Sequence, residues 1–212
     1  MSLIDISLTL REGTPEWPGD TPFSCRWTWE MARGASVNVS ALSGSPHVGT
    51  HADAPLHVQD GWLGVSDLPV DAFIGEATVV DVRRHESAVL ELSDLSLAPQ
   101  DIAGGRLLLQ TGCSIAAGAF PDHWPVLSAD CARALVDGGL RLLGVDAPSV
   151  DGRESRTLPV HRTLFAGGAC ILENLDLREV IPGRYMLHAA PVKIEGADAA
   201  PVRAVLQRPD YT

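Results

Sequence analysis

Between residues 47 and 57, every second position carries a side chain that could do chemistry or make room for it: His47, Gly49, His51, Asp53, Pro55 and His57. Imidazole nitrogen and carboxylate oxygen are the donors that zinc prefers, and manganese, iron or cobalt take the same set when more oxygens join it. No thiolate stands in the row, which favours an open catalytic site over a closed structural one. In an extended chain, residues two apart project from one face, so the spacing predicts three imidazoles and a carboxylate lining one surface. The gap of four between His47 and His51 would also suit a helix, but Pro46, Gly49 and Pro55 argue against a continuous one. Gly49 removes a side chain from the middle of the row, where a metal is expected to sit. A lone histidine is more often an ordinary surface or core residue than a ligand; three in a row with an interposed aspartate do not fit that description.

Two further residues bear on the same chemistry. Glu173 ends the apolar run Cys170-Ile171-Leu172, where an unpaired carboxylate would be costly to bury and a metal would compensate it. His161 follows Pro159 with no second donor beside it and, taken alone, reads as structural. Asp146 and Asp151, in GVDAPSVD, suit either the orientation of a ligand imidazole from behind or a plain strand-end turn. His85, His123 and His188 fall in no motif and are expected to be structural or exposed. Cys25, Cys113, Cys131 and Cys170 form no CxxC pair and read as free, mostly buried thiols.

The elements that must hold these residues are mostly strands. Ile4, Ile6, Leu8 and Leu10 alternate with polar residues, as do Phe23, Cys25, Trp27 and Trp29, and then Val37, Val39 and Ala41; each pattern predicts a half-buried strand. The loop REGTPEWPGDTP between the first two is rich in Pro and Gly. Continuous apolar runs over 77–80, 107–109, 140–145 and 170–172 predict central strands covered on both faces. Ser128 is a candidate N-cap for a helix over 129–136 with Gly138 as its left-handed stop, and Pro159 could open a short helix ending near Gly167. The expectation is one α/β domain over residues 1–212, with a mixed, strand-rich sheet and few helices.

The bulk properties bound the function. At 212 residues the chain can build one sizeable core, and 45% hydrophobic with 20% charged residues is an ordinary globular balance. A net charge of −11, from 27 acidic against 16 basic residues, makes nucleic acid and anionic membranes poor partners. The opening MSLIDISLTLREG does not read as a signal peptide, and no stretch approaches the roughly 18 apolar residues of a spanning helix, so a cytoplasmic location and a small-molecule substrate are expected.

The segment His47 to His57 fits the pattern HxGTHxDxPxH at every fixed position and in this resembles the cyclase-like metal hydrolases, the family that includes bacterial-type kynurenine formamidases. IDISLTL, WPGDTPF, GVDAPSVD and ILENL extend the resemblance over nearly the whole chain. It implies a swivelling β/β/α fold and two divalent metal ions, zinc first and manganese as an alternative. The implied ligands are His47, His51, Asp53, His161 and Glu173, with Asp53 and Glu173 shared between the ions. It implies that His57 is the general acid and base, the alternative being a fourth ligand, and that Trp17 lies against the substrate ring, the alternative being a packing role. The implied reaction is hydrolysis of N-formyl-L-kynurenine by a homodimer whose subunits complete each other's pockets; the alternatives are an isatin-type cyclic amide as substrate and a non-catalytic metal binder. Arg162 departs from the pattern, which has a second histidine after His161, and this puts a contact at the rim in question.

Overall fold

The computed structural model describes residues 2–83 and 88–208, so His85 lies outside it. In chain order the strands are β1 (Leu3–Asp5), β2 (Ser24–Trp29), β3 (Val39–Ser43), β4 (His51–Asp53), β5 (Ile74–Asp81), β6 (Val89–Leu90), β7 (Arg106–Gln110), β8 (Val126–Leu127), β9 (Leu142–Val145), β10 (Cys170–Glu173), β11 (Gly183–His188), β12 (Ala199–Pro201) and β13 (Val205–Gln207). The α-helices are α1 (Pro99–Ile102), α2 (Ala129–Asp137) and α3 (Pro159–Ala166). Nine strands form one mixed sheet in the order β1-β13-β11-β5-β7-β9-β10-β4-β12.

The continuous apolar runs supply its centre. β5, β7, β9 and β10 lie parallel side by side, and their residues alternate between two cores. Leu107, Leu109, Leu143, Val145 and Ile171 face one, together with Cys131 and Leu135 of α2 and Val160 and Leu164 of α3. Leu108, Leu142, Cys170 and Leu172 face the other, against Ala77, Val79, Leu187 and Leu206. Both faces are thus covered, as uninterrupted hydrophobicity requires. The Ser128 hydroxyl caps α2 by accepting from the Cys131 N–H at 3.0 Å. The stop is one residue later than expected: Gly138 has φ −73° and Gly139 carries the left-handed turn at +89°.

Three alternating segments behave differently from their pattern. The first is a strand only to Asp5; beyond a single bridge at Ser7, the chain leaves the sheet to meet the motif, and the Leu8 N–H donates to the Thr50 hydroxyl at 2.8 Å. The second and third pair only with each other, and this two-stranded ribbon is exposed on both faces, with Trp27 58% and Leu42 69% accessible. Alternation reports that one face is apolar, not that anything covers it.

Nor is the histidine row one extended strand. Only His51–Asp53 is β-structure; His47 lies in the preceding turn and His57 in a 3-10 turn, Pro55–His57. Gly49 is the break, at φ +72°, and a Cβ there would run into Leu10 Cδ2. The missing side chain therefore makes room for Leu10 and for a left-handed backbone, not for an ion. Gly49→Ala should destabilise the protein by about 1–2 kcal/mol, the cost of an L-residue in this region; a thermal melt unchanged from the wild type would mean the turn relaxes freely.

Candidate metal centre

The site is assembled where the central sheet passes from parallel to antiparallel pairing. β4 lies against β10 with Glu173 opposite His51 and Ile171 opposite Asp53. Ala52 points into the second core, so His51 and Asp53 both turn to the other face. From that face α3 delivers His161, and the turn before β4 delivers His47.

α3 owes its position to Asp151. Leu158, which precedes the helix, offers no side-chain cap, and Pro159 at the first position needs none for its nitrogen. The orphan N–H groups of Val160 and His161 instead donate to the Asp151 carboxylate at 3.1 and 3.0 Å, and the same carboxylate takes His161 Nδ1 at 2.7 Å. One buried side chain therefore fixes both the helix and its imidazole. Of the two readings open for Asp151 in the sequence, orientation is the one its contacts match; Asp146 instead binds Thr111 and Gly112 at a strand end.

Each of the three imidazoles has its outer nitrogen held by an oxygen. His161 uses Asp151, His51 Nδ1 meets the Gly49 carbonyl at 2.9 Å, and His47 Nε2 meets Asp198 at 3.0 Å. The inner nitrogens converge on two buried carboxylates. His47 Nδ1 and His51 Nε2 stand 3.0 and 3.1 Å from Asp53 Oδ1, while His161 Nε2 is 3.1 Å from Asp53 Oδ2. Glu173 repeats the division, with Oε2 3.5 Å from His51 and Oε1 3.3 Å from His161. Despite these approaches, Asp53 Oδ1 is buried with no hydrogen bond of acceptable geometry among the described residues. Lone pairs crowded together with the outer nitrogens pinned are what ligands held for a cation look like, and the donor set fits a divalent metal ion.

His57 stands beside this group. Its ring is 4.3 Å from that of His47, and its Nδ1 is 3.3 Å from the same Asp198 oxygen that holds His47. Asp198, just before β12, is the residue that sequence reasoning missed; its carbonyl accepts from the Ala54 N–H at 2.8 Å, which ties it to the motif. The departure at Arg162 has a definite place: its guanidinium donates to the carbonyls of Val58 and Thr157 and to Gln59, bracing the turn that carries His57. The cluster opens onto a cavity of about 470 Å³ lined by His47, His57, His161 and Glu173 at one end and by Trp17 and Phe120 along its wall. Trp17 packs edge-on to Phe120 at 5.3 Å and is 38% exposed, so it has both a packing partner and a free surface. His123 and His188 are exposed, and the cysteines are free, with Cys131 and Cys170 buried and Cys25 exposed.

Electrostatics couples the site to pH. Burial by itself would lower His47 and His51, but Asp53 and its fellow carboxylates outweigh it and raise them from 6.5 to about 10 and about 9. Asp53 is held well below the ordinary carboxylate range: burial pushes it up, and the charges of His51 and His47 more than reverse this. Metal-free protein at neutral pH therefore keeps protons on nitrogens that a cation must take over. The raised histidines stabilise the metal-free fold fully below about pH 6.5, and that contribution disappears as pH rises through 9 to 10. Loading metal-free protein with a divalent cation at pH 7 should release protons, and apparent affinity should climb with pH up to that window. Calorimetry in buffers of different ionisation enthalpy measures this; heats independent of buffer would contradict it.

Comparison with known proteins agrees with this geometry. The Cyclase family model matches residues 4–152. A protein of Bacillus mycoides named kynurenine formamidase is 43% identical over 96% of each chain. A solved structure described as a potential metal-dependent hydrolase with cyclase activity superposes with a TM-score of 0.81 at 30% identity, covering 97% of this chain and 96% of the other. Isatin hydrolase A from Labrenzia aggregata reaches 0.83 at 22% identity over 97% and 93%, a likeness of fold. With its nine-stranded mixed sheet, its few helices and its donor cluster at the β4–β10 junction, the chain is a hydrolase that belongs to the cyclase family.

Proposed function

We propose that the chain hydrolyses N-formyl-L-kynurenine to kynurenine and formate, with two divalent metal ions, zinc before manganese, held by His47, His51, Asp53, His161 and Glu173. The observation that carries the reading is a buried imidazole and carboxylate cluster opening onto an aromatic-walled cavity, in a chain 43% identical to a protein named for this activity. Asp53 is divided between His47 and His51 on one oxygen and His161 on the other, and Glu173 between His51 and His161, which supports two ions sharing both carboxylates. Ions bound there would lower the pKa of water and polarise a carbonyl oxygen.

The chain's own residues account for the rest. Trp17 and Phe120 would hold the aryl ring flat and exclude water from one wall. His57 has its Nδ1 on Asp198, which leaves Nε2 to take a proton from the attacking water and hand it to the anilide nitrogen as the C–N bond breaks. The amine then departs neutral, where an anilide anion would leave poorly. The test is a formate-release assay with N-formylkynurenine and isatin side by side, expected to favour the former. His57→Ala should keep its metal and lose about 10²- to 10⁴-fold in kcat, whereas His51→Ala should lose metal first. An active His57→Ala enzyme, or one stripped of metal, assigns that residue wrongly.

The assembly belongs to the same proposal: a homodimer joined through the β2–β3 ribbon, where Trp27, Trp29, Met31 and Leu42 lie exposed together. Light scattering should give twice the chain mass, and Trp27→Glu with Trp29→Glu should reduce it to one. A monomeric, fully active wild type would refute the dimer. Four free cysteines support work in the cytoplasm, where thiols stay reduced; among the described residues no helix is long and apolar enough to cross a membrane.

A further inference from the structure

The loop WPGDTPF contributes more to the cavity than an aromatic ring. Residues 17–20 form a tight turn closed by the Asp20 N–H donating to the Trp17 carbonyl at 2.9 Å, with Gly19 at φ +92°. The turn thereby sets an indole and a carboxylate side by side, and both line the cavity. Asp20 is half-buried; one oxygen accepts from the Thr21 N–H at 2.6 Å, and no cation pairs with it among the described residues. The lining otherwise offers one carboxylate, Glu173, which belongs to the donor cluster, and neither lysine nor arginine. Arg153, outside the lining, lies over Phe120 at 5.6 Å and is engaged by Asp122 at 2.6 Å.

We propose that Asp20 is the specificity residue that binds the α-ammonium group of the substrate, while the wall leaves the α-carboxylate to the cavity mouth. This rests on the aryl formamidase reading and deepens it. A substrate with an aryl ring and a cationic side chain meets the indole and the carboxylate from one rigid turn. A neutral aryl amide meets only the ring. Hydrogen bonds to a charged group are the stronger kind, and here a half-buried carboxylate with a free oxygen awaits one. Losing it should weaken binding by about tenfold or more.

The test compares three aryl formamides on wild type, Asp20→Asn and Asp20→Glu: N-formyl-L-kynurenine, its decarboxylated amine, and formanilide, which has no ammonium group. Asp20→Asn should raise KM about tenfold for the first two with kcat nearly unchanged and leave formanilide hydrolysis as it was; Asp20→Glu should recover part of the loss. Wild type should turn over the decarboxylated amine nearly as well as the amino acid. Equal losses on formanilide would mean that Asp20 is structural and overturn the inference, as would an unchanged KM on the ammonium substrates. If wild type hydrolyses none of the three, the formamidase reading itself falls; hydrolysis of all three with no discrimination by Asp20→Asn removes the Asp20 role alone.

Discussion

Two carboxylates buried on one face of a sheet, Asp53 and Glu173, are the constraint around which the rest of the structure is arranged. They sit on neighbouring strands, both almost wholly shielded from water, and two such charges cannot share a dry site unless cations or protons neutralise them. Without metal, the imidazoles that approach them meet that need as proton carriers, His47 and His51 being raised to about 10 and about 9; a bound cation would take over the positive charge and leave the imidazoles neutral. What distinguishes the arrangement from a buried ion-pair network is where the outer nitrogens go. Every one is committed to an oxygen outside the cluster, so the inner nitrogens are fixed in direction.

That commitment accounts for features of the fold that lie outside the donor cluster. Asp151 replaces a conventional helix cap because the residue it holds is a candidate ligand as well as a helix residue. Thr50 donates its hydroxyl to the Asn174 carbonyl and accepts from Leu8, locking the motif loop to the end of β10 and to the N-terminal segment. Asp198 is shared between His47 and His57, and is held far below the ordinary carboxylate range mainly by those two hydrogen bonds. His57 is thereby joined to His47, and so to the donor cluster, through one anion.

Residue types were legible in the sequence where residue geometry was not. The row from His47 to His57 announced its donors because imidazoles rarely gather at that density without a cation to hold, and that remains true although only three of its residues are extended. The same row misled on Gly49, since a missing side chain looks identical whether it admits an ion or Leu10. His161 carried no local sign: its partners are Asp151, ten residues back, and Asp53, 108 residues away. Asp198 was invisible for the same reason, a single carboxylate between alanines whose role depends on a histidine 151 residues distant. The central strands were readable because burial on both faces leaves a continuous apolar run. The strands of the β2–β3 ribbon were readable too, but not their exposure, because the ribbon's apolar face has no counterpart within the chain.

Backbone strain marks the same boundary between what is local and what the site imposes. Three described residues other than glycine have positive φ, and two of them, Leu158 at 47° and Asn174 at 55°, line the cavity. Asparagine tolerates this region, but for leucine it costs about 1–2 kcal/mol that no turn preference returns. Leu158 bears the cost at the point where the chain must enter α3 with His161 one turn in and facing the carboxylates. Asn174 bears it immediately after Glu173, where β10 must end without letting the carboxylate swing away. Both deviations lie within three residues of a candidate ligand, which is where strain persists when the surrounding contacts over-determine the backbone. The fold accepts two unfavourable backbone conformations on the segments that carry His161 and Glu173.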